Sequence, residues 1–599
     1  METVDVTVIG AGWSGLAALK TYHQVDPSAS IVLFESAASV GGVWAKHRLY
    51  AGLKSNNMLG TYEFSDFPMD ASFGVQPGQH IPGSVIQTYM ERFVEHFQLT
   101  PFIRLNTRVR IAEQNSDGTW TLTIDDTDGE KTVVSKKLIV CTGITSQPYL
   151  PTITGQDTFD APLFHCRDLP QHQDAVLQPN KRITVFGGTK SAWDAVYAAA
   201  TAGAHVDWII RDNGHGPVWM APAYVTPLKK WLEKLVTTRL LTWFSPCIWG
   251  DADGCSPIRN FLHGTWLGRK IVDTFWSILA NDVITLNKFD AHPETKKLKP
   301  WISPFWIASG LSILNYPTNF FDLVTEGKVQ IHIDHITHLT PKTVHLASSS
   351  TPIPSDTLIC ATGWQATPPI DFRPSHLPQT LGFPWAEDPI PQSVIQQADA
   401  EILSRFPRLA TPPPKPANYA PLAPDAPAAA KHPFRLSRFM IPPSLANTNS
   451  RSIAFMGLAM TINTTMLAQA QALWIAAYFT NNLTLVPREQ CPPHLRKVLE
   501  QDNASVDADL VWETALHSQF GIHRYRGGFG KRNPDFVFDA VPYVDLLLRD
   551  LGLDYTRKGG LKWLEPYGVE DYRGLVEEWI GSRDAVSNSG DNDLGKKDN

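Results

Sequence analysis

Three glycines, Gly10, Gly12 and Gly15, follow the apolar run at 4–9 and open a helical stretch that begins with Trp13 and Ser14. An acidic residue, Glu35, comes 20 positions after the last of them, at the end of a second apolar run, "IVLFE". This order of strand, glycine turn, helix and strand suits binding of a dinucleotide. The first glycine permits the tight turn, the second lets backbone approach a pyrophosphate, and the third lets helix pack on strand. The helix N-terminus then faces the phosphates with unpaired N–H groups. Glu35 would accept hydrogen bonds from a ribose diol, so the ligand has a free 2′-hydroxyl. FAD or NAD fits that requirement and NADP does not.

A second unit starts at Lys181 and reads strand "ITVFGG", helix "SAWDAVYAAATAGA" and strand "VDWIIR". Here the strand ends in Arg211. A cation at that place suits a 2′-phosphate. Gly187 matches the first glycine and Gly188 follows it. Thr189 stands at the second glycine position and Ala192 at the third, with Lys190 and Ser191 between them. Thr189 would hold a pyrophosphate slightly farther away, and Lys190 supplies compensating charge. The opposite charges of Glu35 and Arg211 then make sense as a pair: one site grips a ribose, the other an extra phosphate, as in NADPH.

The remaining chain must position these two units. At 599 residues it is long enough for two or more domains. A net charge of −7 and the lack of a basic block argue against nucleic acid as partner. The six cysteines form no CxxC pair, which argues against a disulfide reductase and for reduced thiols. No zinc-type ligand spacing occurs, and His332, His335 and His338 alternate with apolar residues as in a strand, so no metal is expected. No run of about 18 apolar residues exists and no leader is evident, so a cytoplasmic enzyme is the expectation. The fold class is α/β with two Rossmann-like domains. The first nucleotide-binding domain takes 1–180 and returns at 351–485, with a Pro-rich loop at about 366–445. The NADPH-type domain takes 181–350, with a helical insertion at about 225–320. A helical extension over 486–585 and a disordered tail at 586–599 complete the chain. Within the insertion, 228–244 mixes Lys229, Lys230, Lys234 and Arg239 with Trp231, Leu232, Leu235, Leu240 and Trp243. That mixture suits the wall of a substrate channel, and membrane contact is possible but not predicted. Oligomeric state is left open.

Several motifs together resemble the class B flavin-dependent monooxygenases, the flavin-containing monooxygenases and the Baeyer–Villiger enzymes. They are "GAGWSG", "GGVW" at 41–44, "SNNMLGTYEFSDFP" at 55–68, "IRLNTRV" at 103–109, "CTG" at 141–143, "ATGW" at 361–364 and "GLAMTINTTMLAQAQALWIA" at 457–476. The resemblance covers roughly 4–365 and 451–480, and it also looks like oxygenases of fungal secondary-metabolite clusters. It implies that the first nucleotide is FAD, with Gly42, Val43, Trp44 and Asp66 on the flavin side and Val109 against the adenine. It implies hinge strands at Thr142 and Gly143 and at Thr362 and Gly363, and a flavin contact at Gln471. The family fingerprint is altered in "FDAPLFHCRDL": Phe159 and His165 match, whereas Ala161 and Leu169 depart from it. Asn56 stands where the flavin-containing branch carries Asn, and "FWIASGLSILNYPTNFF" lacks the Arg of the Baeyer–Villiger branch.

The implied reaction reduces FAD with NADPH, captures O2 as a C4a-(hydro)peroxyflavin and inserts one oxygen atom into a small, lipophilic substrate. Asn56 is the implied catalytic residue, donating a hydrogen bond at the reacting centre. A Baeyer–Villiger conversion of a ketone to an ester or lactone is the alternative within the family. A flavin oxidase or a non-catalytic nucleotide-binding protein are alternatives of another class.

Overall fold

The computed structural model describes residues 2–583 except 227–228, 366, 421–429, 447–450, 503–506 and 529. The expected tail at 586–599 and the centre of the Pro/Ala-rich segment lie outside the described residues. Two parallel-centred sheets organise the rest. The first has eight strands among the described residues. Its centre is Glu2–Ile9, flanked in parallel by Ile31–Phe34 and Gly129–Val140, with Val6 opposite Ile31 and Val8 opposite Ile139. Val6, Val8 and Leu33 are fully buried. Ile31–Phe34 and the C-terminal ends of the other two strands are covered on both faces, which is why those parts read as apolar runs. Ile453–Phe455 joins the same sheet beside Gly129–Val140, with Ile453 opposite Leu138, 315 positions earlier in the chain.

The second sheet is parallel throughout, in the order Leu163–His165, Thr357–Cys360, Arg182–Phe186, His205–Ile210, Val329–Ile333. The chain therefore leaves the first sheet, builds the second, and returns. The two crossings touch: Trp364 pairs with Pro148 and Gln365 with Gln147 in an antiparallel clip.

Helix Trp13–Val25 packs against the first sheet on one side and helix Thr464–Phe479 on the other. All but two residues of Thr464–Phe479 are buried, as expected of a helix apolar on every face. Its outer side is covered by Ala540–Asp550, and Ala508–Arg524 packs on Gln392–Arg405. That last helix, Gln392–Arg405, falls in the segment read as a Pro-rich loop. No proline falls between Pro391 and Pro407, and Val394, Ile395, Ala398 and Ile402 keep helical spacing with their side chains inside, so the helix forms in that proline-free gap.

The basic stretch 228–244 is not one amphipathic helix. It folds as two short helices, Leu232–Val236 and Arg239–Trp243. Arg239 is inside the protein, paired with Asp545 of the C-terminal extension at 3.0 Å and stacked 4.6 Å from the Tyr567 ring. Arg438 likewise pairs with Asp550 at 2.7 Å and with Glu513. Buried pairs of this kind fix which surfaces meet, because either partner alone would leave an uncompensated charge. No helix of the described residues is long and apolar enough to cross a membrane.

Candidate cofactor clefts and active site

The first cleft, about 1090 Å³, opens at the carboxyl ends of the first sheet, the place where such sheets bind ligands. Gly10 sits at φ +106°, and a Cβ there would fall 2.6 Å from the Cys141 carbonyl oxygen. A Cβ on Gly15 would fall 1.8 Å from the Gly10 carbonyl oxygen. These two glycines serve the protein's own packing. Gly12 is different. Its backbone is extended (φ −84°, ψ −168°), and a Cβ would meet only the Gly42 Cα, at an ordinary 3.6 Å. The bare floor between Gly12 and Gly42 is thus room for something other than protein. Helix Trp13–Val25 starts there with no side-chain cap, which leaves first-turn N–H groups directed to the cleft. The buried Thr142 hydroxyl, also on the wall, has no hydrogen-bond partner among the described residues. These features fit the pyrophosphate and ribose of a flavin dinucleotide.

Glu35 is buried at the cleft edge and serves the loop as well. Its Oε2 accepts from Ala11 N at 2.7 Å and its Oε1 from Ala37 N at 2.8 Å. A carboxylate has about four acceptor sites, so capacity for a ribose remains. Trp13, Ser14, Gly42, Val43, Asn56, Val109 and Gly143 line the same cleft.

The second cleft, about 450 Å³, lies at the carboxyl ends of the second sheet. Gly187 has φ +139° and presses on the connector: a Cβ would lie 2.4 Å from the Ala361 carbonyl oxygen. Gly188 is less crowded, its Cβ position lying 2.9 Å from the Gly216 carbonyl oxygen. Helix Lys190–Thr201 begins after Thr189, again without a side-chain cap. Arg211 donates from Nη1 to Asn213 Oδ1 and to the Ala420 carbonyl, both at 3.1 Å. Among the described residues it forms no ion pair with a carboxylate, and burial lowers its pKa. A half-buried guanidinium held by neutral acceptors is a ready partner for a dianionic phosphate. Ser191, Thr362 and Gly363 line this cleft, as does His165. His165 is 2 % exposed, accepts from Arg167 N at 3.2 Å and stands edge-on to Trp364. Burial pushes its pKa down to about 4, so it is neutral.

The two clefts run together. Ile144, Thr145, Lys190, Ser309 and Met460 line both. Beside this junction Asn56 donates from Nδ2 to Ser312 Oγ at 3.2 Å. Met460 stands in the 457–476 motif and Ser309 and Ser312 in the 305–321 segment, but nothing in those stretches singled these residues out; they reach the junction because distant segments fold back.

Four expected cofactor residues line neither cleft: Gly15, which serves the packing of helix on strand, and Asp66, Gln471 and Trp44. Asp66 forms an ion pair with buried Lys20 behind helix Trp13–Val25. Gln471 points to the C-terminal extension and donates to Tyr543 Oη at 3.0 Å. Trp44 donates to Tyr62 Oη at 3.1 Å, and it is Tyr62 that reaches the cleft wall. Of the histidines read as a strand pattern, His332 pairs with Asp207 at 2.8 Å and His335 with Asp212 at 3.0 Å.

Two Rossmann-type units, each with an uncapped helix N-terminus at its cleft and both opening on one junction, fit a flavoprotein that takes electrons from a nicotinamide nucleotide. Residues 3–243 match the flavin-binding monooxygenase-like family. The chain is 33% identical to the FAD-dependent monooxygenase resA of Aspergillus sclerotiorum, over 98% of this chain and 100% of that one. It is 33% identical to an FAD-dependent monooxygenase of Pyrenophora dematioidea, over 92% and 98%. Among solved structures, cyclohexanone monooxygenase from Rhodococcus sp. Phi1 bound to NADP+ shares the fold, with TM-score 0.54 and 16% identity over 92% of this chain and 98% of that one. The chain belongs to the flavin-binding monooxygenase-like family. It is an FAD-dependent, NADPH-consuming monooxygenase that acts on a small molecule and O2.

Proposed function

We propose that this enzyme oxygenates a lipophilic small molecule, in secondary-metabolite biosynthesis, at the junction of its two clefts, with Asn56 as the hydrogen-bond donor there. The observation that carries the reading is the shared wall of Ile144, Thr145, Lys190, Ser309 and Met460. It brings a nicotinamide-side cleft and a flavin-side cleft to one point. Bound FAD would supply the redox chemistry, passing electrons from NADPH to O2 so that one oxygen atom goes to the acceptor and the other leaves as water. The chain's own part is to bind, orient and keep water out. Gly12 and Gly42 give the flavin nucleotide its close approach, and Glu35 its ribose contact. Gly188, Lys190 and Ser191 face the NADPH phosphates, and Arg211 its 2′-phosphate. Trp219, Ile302, Ile307, Trp364 and Met460 make the second cleft's inner wall apolar, which suits a lipophilic acceptor and excludes bulk water.

The test supplies holoenzyme with NADPH, ¹⁸O₂ and a panel of aryl sulfides, tertiary amines and cyclic ketones. The expected result is one ¹⁸O in product for each NADPH consumed with an accepted compound, and loss of that transfer in Asn56→Ala. Undiminished oxygen transfer by Asn56→Ala would remove Asn56 from the reaction. NADPH converted wholly to hydrogen peroxide across the panel would instead favour an oxidase.

A further inference from the structure

The strand that carries Asn56, Lys54–Met58, belongs to neither large sheet. It pairs only with His80–Pro82, and the register shifts between Lys54 and Met58. A two-stranded ribbon is marginal by itself, so the aim of Asn56 must be set from outside the ribbon. Two buried side chains do this. On the N-terminal half, Asn315 Nδ2 donates to the Lys54 and Ser55 carbonyls at 3.0 and 3.1 Å, while its Oδ1 accepts from Lys190 Nζ at 3.1 Å. On the C-terminal half stands Glu233, 2 % exposed, from the short helix Leu232–Val236. Its Oε1 accepts from Asn57 Nδ2 and from Thr61 Oγ1 at 2.7 Å. Its Oε2 accepts from Met58 N at 2.9 Å and Trp231 Nε1 at 2.8 Å.

Among the described residues no cation lies within ion-pair distance of Glu233. Its charge is held by four neutral donors alone. The Asn57 amide also donates to the Ile462 carbonyl at 3.0 Å, and Ile462 lines the flavin-side cleft. One carboxylate therefore ties the insertion, the Asn56 strand and the last cleft-lining segment together. Burial raises the Glu233 pKa and the four donors oppose that rise.

We propose that Glu233 is a positioning residue for Asn56: its carboxylate, acting through Asn57 and Met58, holds the strand so that the Asn56 amide stays beside Ser312 at the junction. This rests on the role given to Asn56 above. A carboxamide in place of the carboxylate would set an NH₂ group against two donors, so Glu233→Gln should undo half the clamp without changing its size.

The experiment compares wild type, Glu233→Gln, Asn56→Ala and the double variant as FAD-loaded protein. It measures amide hydrogen exchange over 54–61 and hydrogen peroxide released per NADPH without acceptor. The expected result for Glu233→Gln is exchange over 54–61 at least about tenfold faster, with exchange in 182–210 and FAD content as in wild type. Peroxide per NADPH should rise in Glu233→Gln and in Asn56→Ala, and no further in the double variant. Unchanged exchange over 54–61 would overturn the proposal, as would additive peroxide release in the double variant. If Glu233→Gln fails to fold, Asn57→Ala, which removes the amide between Glu233 and Ile462, must show the same signature. A wild type that bound FAD but did not oxidise NADPH would sink the functional reading, and the exchange measurement alone would then decide the clamp.

Discussion

Replacing Gly12 by alanine separates ligand contact from protein packing more cleanly than any other change in the first cleft. At Gly10 a methyl group would meet the Cys141 carbonyl at 2.6 Å in a φ of +106°. That combination strains the fold by about 1–3 kcal/mol from the backbone alone, with the clash added. At Gly12 the backbone is ordinary and the methyl has 3.6 Å to its nearest neighbour, Gly42 Cα. The apo protein should scarcely notice it. The methyl does occupy the bare floor on which the pyrophosphate is read to lie, and it would push the phosphate off the uncapped first turn of Trp13–Val25. Hydrogen bonds to a charged group contribute about 1.5–3 kcal/mol each. Losing one or two corresponds to an FAD affinity lower by about 100-fold. The assay is apo-protein titrated with FAD by flavin fluorescence, alongside thermal unfolding of the apo form. Gly12→Ala should keep the apo unfolding temperature within about 2 °C of wild type and lose FAD. Gly10→Ala should lose both, with a fall of several degrees for a domain of this size. Wild-type FAD affinity in Gly12→Ala would refute the assignment of the floor. An equal loss of apo stability in the two variants would refute the steric reasoning.

Arg211→Ala should raise the Michaelis constant for NADPH by about 10- to 100-fold, from one charge-assisted phosphate contact, and leave that for NADH nearly as it was; steady-state kinetics with both nucleotides decide it. Asp545→Ala strands Arg239 inside the protein (the pair is 0–1 % exposed) and should cost about 3–5 kcal/mol; a denaturant midpoint equal to wild type would show that the insertion and the C-terminal extension are not coupled in stability. Acid should weaken the fold through His165, His263 and His517, whose pKa values burial pushes down to about 4, about 3 and about 3. Each is neutral in the fold and protonates near 6.5 when unfolded. Their contribution is therefore complete above about pH 6.5 and falls as pH drops toward the folded values, by about 2 kcal/mol each at pH 5. Histidine-to-glutamine variants at 263 and 517 should flatten the unfolding temperature between pH 7 and 5.

What was legible from the residues alone was whatever a single short stretch specifies. The two nucleotide units could be read because glycine turn, helix start and strand end all lie within about thirty residues, and each enforces a local backbone geometry. The opposite charges of Glu35 and Arg211 belonged to that same local frame, and both stand at their clefts. Asn56 was legible too, through the motif around it. Asp66, Gln471 and Trp44 were read from the same kind of motif, yet their side chains turn to Lys20, Tyr543 and Tyr62. A motif places a backbone segment; neighbours from elsewhere decide which way its side chains face. The insertion's basic stretch shows this most plainly, since Arg239 looks solvated in sequence and is interior because Asp545 waits for it 306 positions later. The roles of Glu233, Asn315, Ser309 and Met460 were not legible, although the stretches that hold them were. Each has a hydrogen-bond partner more than 70 residues away, and only the tertiary structure, by closing those separations against chain entropy, decided that they would set the junction where the two clefts meet.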